Sequence, residues 1–128
     1  MNEMIENKTF DEIRVGDTAS LSRTLHSDDG ETWAALTGDV NLIDLDPSPA
    51  DSSMFPYGGG QAMWAAALFS TVAGTRLPGL GSLTTAADIH FIRPVRIGQR
   101  VTATVTVKEK RTKSATVVLD CACTDVSG

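Results

Sequence analysis

The chain has 128 residues, with 11 basic and 16 acidic side chains for a net charge of −5, and aromatics make up only 5% of it. An acidic, aromatic-poor chain is a poor match to a nucleic-acid surface, and no run approaches the roughly 20 apolar residues that span a bilayer. The N-terminus Met1-Asn2-Glu3-Met4-Ile5-Glu6 lacks the basic and apolar blocks of a signal peptide, so a cytoplasmic protein forming a single domain over residues 1–128 is expected. A core of this size gains from further burial, which predicts a homo-oligomer or a heterodimer.

The charge is divided unevenly. Residues 1–64 sum to −9 and residues 65–128 to +4, with Lys108, Lys110, Arg111 and Lys113 near one predicted hairpin and Arg93, Arg96 and Arg100 just upstream. Such a patch suits phosphates, although solvated strand ends and a turn account for it equally well.

In chain order, Thr18–Leu25 alternates like a half-exposed edge strand. A short helix is predicted next, with Ser27 as its cap, Asp28, Asp29 and Glu31 at its positive end, Trp33 and Leu36 sharing a face, and Gly38 as the stop. That arrangement places Asp39 just past a helix end, on a loop. The stretch from Asp46 to Gly60 holds Pro47, Pro49 and Pro56, the pair Ser52-Ser53, and Gly58-Gly59-Gly60, and it reads as a loop. No Gly-Lys-Ser/Thr follows the glycines, so they do not form a phosphate loop; they let backbone approach a ligand closely.

A helix over Gln61–Ala73, apolar nearly all round and closed by Gly74, has to be enclosed by other structure. Strands are predicted at Leu83–Ile92, Arg100–Arg111 and Ala115–Thr124. The middle one alternates strictly, with Val101, Ala103, Val105 and Val107 on one face and Thr102, Thr104 and Thr106 on the other. Cys121 and Cys123 share a strand face and read as buried, reduced thiols. The two histidines, His26 and His90, are not at metal-ligand spacing from them, and both read as structural or exposed.

Four blocks carry a family resemblance. Thr37-Gly38-Asp39-Val40-Asn41-Leu42-Ile43-Asp44-Leu45-Asp46-Pro47 follows a loop of the form Gly-Asp-x-Asn-Pro-[Ile/Leu]-His-x-Asp, with Leu42 at the proline and Asp44 at the histidine. Gly58-Gly59-Gly60-Gln61-Ala62-Met63-Trp64 stands where that family has Gly-Ile-Ala-His-Gly-Met, so Gln61 replaces a second histidine and Ala62 a glycine. Phe10–Asp17 and Phe91–Gly98 look like further family blocks, in the expected order. The chain thus resembles the MaoC-like dehydratases, the (R)-specific enoyl-CoA hydratases of the hotdog fold.

The resemblance implies an α+β hotdog fold, an antiparallel sheet wrapped around a long central helix. It implies hydration of a 2-enoyl thioester or dehydration of a 3-hydroxyacyl thioester, on CoA or an acyl carrier in fatty acid metabolism, without cofactor or metal. Asp39 takes the place of the family's catalytic aspartate, Asn41 that of the asparagine orienting the pair, and Asp44 that of the histidine. Gly60, Gln61, Ala62, Met63 and Phe55 are the expected substrate-binding residues, with the Ala62 amide as oxyanion donor.

An ionised aspartate cannot act as imidazole does, but two carboxylates sharing a proton can divide the acid and base roles. Two other functions stay open: a non-catalytic acyl-CoA-binding subunit, and a carboxylate-dependent thioesterase. The likeness further implies a homodimer, or a heterodimer with another hotdog chain. Family members continue beyond the position of Gly128 into one more strand, so a shortened chain, a strand from a neighbour, or one more strand within these residues is expected.

Overall fold

The computed structural model describes residues 5–38 and 62–125. Its elements run β1 (Thr18–Thr24), α1 (Asp29–Thr37), α2 (Ala62–Thr75), β2 (Arg100–Arg111), a 3-10 turn (Thr112–Ser114) and β3 (Thr116–Thr124). The three strands form one antiparallel sheet in the order β1-β2-β3.

The alternation of β2 sets the layering. Val101, Ala103, Val105 and Val107 are at most 3% exposed, because β2 is the middle strand and α2 lies across its apolar face. The threonines point to the opposite side, where Ser22 and Thr102 share a hydroxyl hydrogen bond of 2.7 Å across β1 and β2. Thr18 and Thr106 do the same at 3.3 Å. The β2–β3 register shifts between Val107 and Glu109, so Lys108 is the extra residue of a bulge. Beyond it the chain turns back through Ala115, which takes a left-handed φ of 49°; β3 therefore starts at Thr116, one residue later than its sequence suggests.

Helix α2 buries Ala65, Leu68 and Val72, a stripe with the spacing of one helical face. Leu68 and Val72 join Ile13, Leu21, Leu77 and the β2 residues in one core cluster, against which Trp64 and Phe69 pack half-buried. Enclosure all round, as the apolar sequence suggested, is not reached among the described residues: Met63 is 47% exposed. The helix also runs through Gly74, its expected stop, to Thr75. A helical glycine costs about 1 kcal/mol relative to alanine, and the ladder persists past it because Arg76 and Leu77 both donate to the Val72 carbonyl.

The predicted strand Leu83–Ile92 is not formed. The segment is without assigned secondary structure and exposed throughout, and among the described residues its backbone takes part in no ladder with β1, β2 or β3. Alternation supplies the faces of a strand, whereas pairing requires a neighbour.

An N-terminal strap closes the far end of α2. Glu6 N–H donates to the Thr75 carbonyl at 2.6 Å and Lys8 N–H to the Pro78 carbonyl at 2.9 Å, with Asn7 and Gly79 bridged between them. Carbonyls that a helix end leaves without partners are satisfied in this way. The strap then makes one turn in which Thr9 and Glu12 bond reciprocally, and it enters β1 through Asp17. The Asp17 carboxylate accepts from Arg14 N–H at 2.9 Å and from Lys8 Nζ at 3.2 Å, and these bonds hold its pKa below the ordinary aspartate value.

Gly79 is the tightest point of this closure. Its φ is +105°, and a Cβ there would run into the Glu6 carbonyl oxygen and lie 2.7 Å from the Asn7 Cα, both rigid backbone. Gly79→Ala is expected to destabilise the fold by about 2–4 kcal/mol, read as a lower midpoint in urea. A midpoint equal to that of the parent would show that the strap does not anchor α2.

Candidate functional site

The expected site lies between the end of α1 and the start of α2, and the two helix termini are its described frame. Helix α1 carries Asp29 and Glu31 in its first turn, where carboxylates offset the positive end of the helix. The expected cap, Ser27, lies outside it. Asp28 is the N-cap and makes no side-chain capping bond, while Asp29 reaches back so that its carboxylate accepts the His26 N–H at 2.7 Å. That bond ties the approaching chain to the first turn but leaves the helix's own first N–H groups without a side-chain cap.

The other end of α1 is as the sequence suggests. Gly38 is left-handed at φ 79°, and its N–H donates to the Ala34 carbonyl at 2.7 Å, the geometry that closes many helices. The residue that follows this cap is Asp39.

The start of α2 is the other described end of the segment that holds the expected site residues. Its first turn, from Ala62, contains no acidic residue, so no carboxylate within it offsets the positive end of the helix. Met63 is exposed on that turn. Trp64, not among the expected site residues, packs half-buried against the core and fixes which way the turn faces; its only sequence signal is its place in an otherwise small-residue helix start. Asp39, Asn41, Asp44, Phe55, Gly60 and Gln61 lie outside the described residues.

The other candidates fall away from this frame. His26 is exposed, and His90 is 82% exposed beside Asp88, its Nε2 3.3 Å from the carboxylate. Cys121 is exposed and Cys123 half-buried, and both are free thiols. Partial burial pushes both thiols up, and for Cys121 the neighbouring Asp120 adds to the effect. They are less buried than expected because β3 is an outer strand, whose core-facing side α2 covers only in part. Among the described residues no three His, Cys, Asp or Glu side chains gather as a metal site would require.

Half of the basic hairpin is committed to structure. Lys110 Nζ donates to the Ile13 carbonyl at 2.8 Å and sits 4.4 Å from the centre of the Phe10 ring. Arg111 pairs with Glu109 at 3.4 Å. No helix among the described residues is long and apolar enough to cross a membrane.

Comparison with known proteins gives these features a context. Residues 12–124 match the family model described as MaoC like domain. An (R)-specific enoyl-CoA hydratase of Rhodospirillum rubrum is 39% identical over 98 residues, covering 77% of this chain and 68% of that protein. A 3-hydroxybutyryl-CoA dehydratase of Methylorubrum extorquens is 35% identical over 114 residues, covering 89% of this chain and 73% of its own. Among solved structures, the (R)-hydratase from A. caviae involved in PHA biosynthesis superposes with a TM-score of 0.84 at 32% identity, covering 91% of this chain and 88% of that one.

The frame itself is testable at Gly38. A Cβ there would meet no other atom within 4 Å, so Gly38→Ala carries only the strain of a left-handed alanine, about 1–2 kcal/mol. Denaturant melts are expected to show a loss of that size, and any turnover should fall further than stability does, because relaxing the cap redirects Asp39. Unchanged stability would mean the cap is not held.

Proposed function

The chain belongs to the MaoC-like domain family and has the hotdog fold of its hydratases, and from that premise we propose that it hydrates 2-enoyl thioesters, or runs the reverse dehydration of 3-hydroxyacyl thioesters, with an altered acid–base pair. The observation that carries this reading is the left-handed cap at Gly38, which releases the chain into Asp39-Val40-Asn41 as the family loop begins.

In the proposed reaction Asp39 takes a proton from water as the water oxygen bonds to C3 of the enoyl group. The π electrons move toward the thioester carbonyl, whose growing negative charge is met by the backbone N–H of Ala62 at the start of α2. A donor placed where charge develops is worth about 10²–10³ in rate. C2 then takes a proton from Asp44, held in its acid form by sharing a proton with Asp39, since two neighbouring carboxylates do not readily both ionise. Asn41 orients the pair, and Gln61, Met63, Gly60 and Phe55 line the acyl and thioester pocket. The reaction releases no product but the hydrated thioester, and the protein works as a cytoplasmic, single-domain oligomer of its own kind or with another hotdog chain.

A second reading is favoured by one specific observation: both family histidines are replaced, by Asp44 and Gln61. A subunit that binds acyl-CoA without turning it over would keep the Ala62 amide and tolerate those replacements.

Crotonyl-CoA separates the two. Loss of the enoyl absorbance is expected with the parent, and Asp39→Asn is expected to abolish it while the melting transition is retained. Asp44→His combined with Gln61→His and Ala62→Gly is expected to raise the rate by roughly 10²–10⁴, the usual range for a general acid–base group. Thioester binding without absorbance loss in both the parent and the triple variant would reject hydration in favour of the binding subunit. Release of free CoA thiol would instead reveal a thioesterase.

A further inference from the structure

Both thiols of the chain lie on one face of β3. Cys121 stands opposite Val105 and Cys123 opposite Ala103, so they share the side on which β2 meets α2. That face begins with Val117 and Leu119, packed against the core, and then opens: Cys121 is exposed, Cys123 half-buried, and both are free. The elements packed on it bring no titratable side chain, since α2 has none from Ala62 to Thr75 and Ala103 and Val105 are aliphatic. On β3 itself Asp120 points to the opposite face. Beyond the strand, the Asp125 carboxylate accepts a hydrogen bond from Gln99 Nε2 at 2.7 Å.

Spacing decides what such a pair can do. Residues two apart on a strand stand about 6.6 Å from each other, with their Cβ atoms pointing the same way. A disulfide needs Cβ atoms about 3.5–4.5 Å apart, so Cys121 and Cys123 do not close on each other while β3 is intact. A cation between two thiolates fits where the disulfide does not. Two collinear metal–sulfur bonds of about 2.3 Å each span about 4.6 Å. Each sulfur meets that span by leaning about 1 Å along the strand, within the reach of a staggered Cβ–Sγ bond. The Cys121 thiol now leans toward the Leu119 carbonyl at 3.9 Å, and turning it toward Cys123 gives up only a weak S–H contact.

We propose that Cys121 and Cys123 chelate one soft, two-coordinate monovalent cation, of which Cu(I) is the type, across the face of β3. Thiolates select such cations, and a linear closed-shell centre is complete with two ligands where zinc takes four. That suits a face on which, among the described residues, no third His, Cys, Asp or Glu side chain gathers. In the binding step two S–H bonds release their protons to solvent, two Cu–S bonds form, and the cation keeps its oxidation state. Burial holds both thiols above the ordinary cysteine value, with Asp120 adding to the effect at Cys121, so the protons leave as the cation arrives.

The test is transfer of Cu(I) to the intact chain from its coloured bicinchoninate complex, without oxygen and with ascorbate as reductant. The parent is expected to bleach the complex and to take one copper per chain. Loss of an outer-shell partner costs a metal site about 10–100-fold in affinity, so Cys121→Ser and Cys123→Ser, each removing one of only two ligands, should each cost more than that. Two protons leave, so affinity should fall about a hundredfold for each unit by which the pH is lowered. Cys123→Ala replaces Cys123→Ser if serine at that half-buried position lowers the melting transition.

The decisive variant moves one thiol by one residue. Ala122→Cys combined with Cys123→Ser keeps two cysteines but sets them on opposite faces of β3, and it is expected to bind no more tightly than a single-thiol variant. Parent-like affinity in that variant would show that the strand does not build the site. One copper per two chains would mean bridging between copies in place of chelation within one strand. A parent that leaves the complex coloured would overturn the proposal outright. Crotonyl-CoA hydration reads the other reaction separately, since neither thiol has a part in it.

Discussion

The structure depends on one contact above others, the laying of α2 across the apolar face of β2. Val72 and Leu68 from the helix meet Val101, Ala103, Val105 and Val107 from the strand in a single cluster. Each valine or leucine buried fully there contributes about 1.5–3 kcal/mol. The strand can offer that face because it alternates without a break up to the bulge at Lys108, and the helix because its alanines let it lie close. β1 joins through a ladder on one side and β3 on the other, and the N-terminal strap ties down the end of the helix. All of these contacts hold α2 in place, and the function proposed for this chain draws on its first turn.

The two ends of α2 divide the work. At its C-terminal end, exposed carbonyls are met by the Glu6 and Lys8 amides, and Gly79 lets the chains approach within backbone contact. At its N-terminal end the first turn carries no acidic side chain, so none within it offsets the positive end of the helix. A helix pinned at one end and directed at the other transmits packing into placement: a shift in the strap would move the Ala62 turn along with the whole rod.

The sequence made much of this legible where a local rule and the tertiary structure agree. β2 could be read residue by residue because a middle strand under a helix buries every second side chain. The Gly38 cap was readable because only glycine adopts φ 79° there without strain. Where a decision depends on distant partners, the residues carry less. Gly74 looks like a stop, but the carbonyl of Val72 holds the ladder past it. Cys121 and Cys123 look buried by pattern, but the outer position of β3 leaves them half open. Leu83–Ile92 has the alternation of a strand and no neighbour among the described residues. As for the site, the family loop could be matched letter by letter, while of its expected side chains the described structure places only Met63.

That division runs through the chemistry too. The proposed oxyanion donor is a backbone N–H, which belongs to the start of α2 rather than to a side chain and so does not depend on whether glycine or Ala62 stands there. The acid and the base are side chains, which the fold positions but does not supply. By the resemblance, Asp44 and Gln61 stand where the family loop has histidines, and both fall on this second half. An amide side chain at Gln61 can hold a ligand by hydrogen bonds but cannot take a proton near neutral pH. In the proposed reaction the proton transfers are therefore assigned to Asp39 and Asp44, and two carboxylates can perform them only when one is kept in its acid form. The proposed reaction thus replaces an imidazole that switches near neutrality with two carboxylates that work only as a pair, so it depends on the distance between those two side chains.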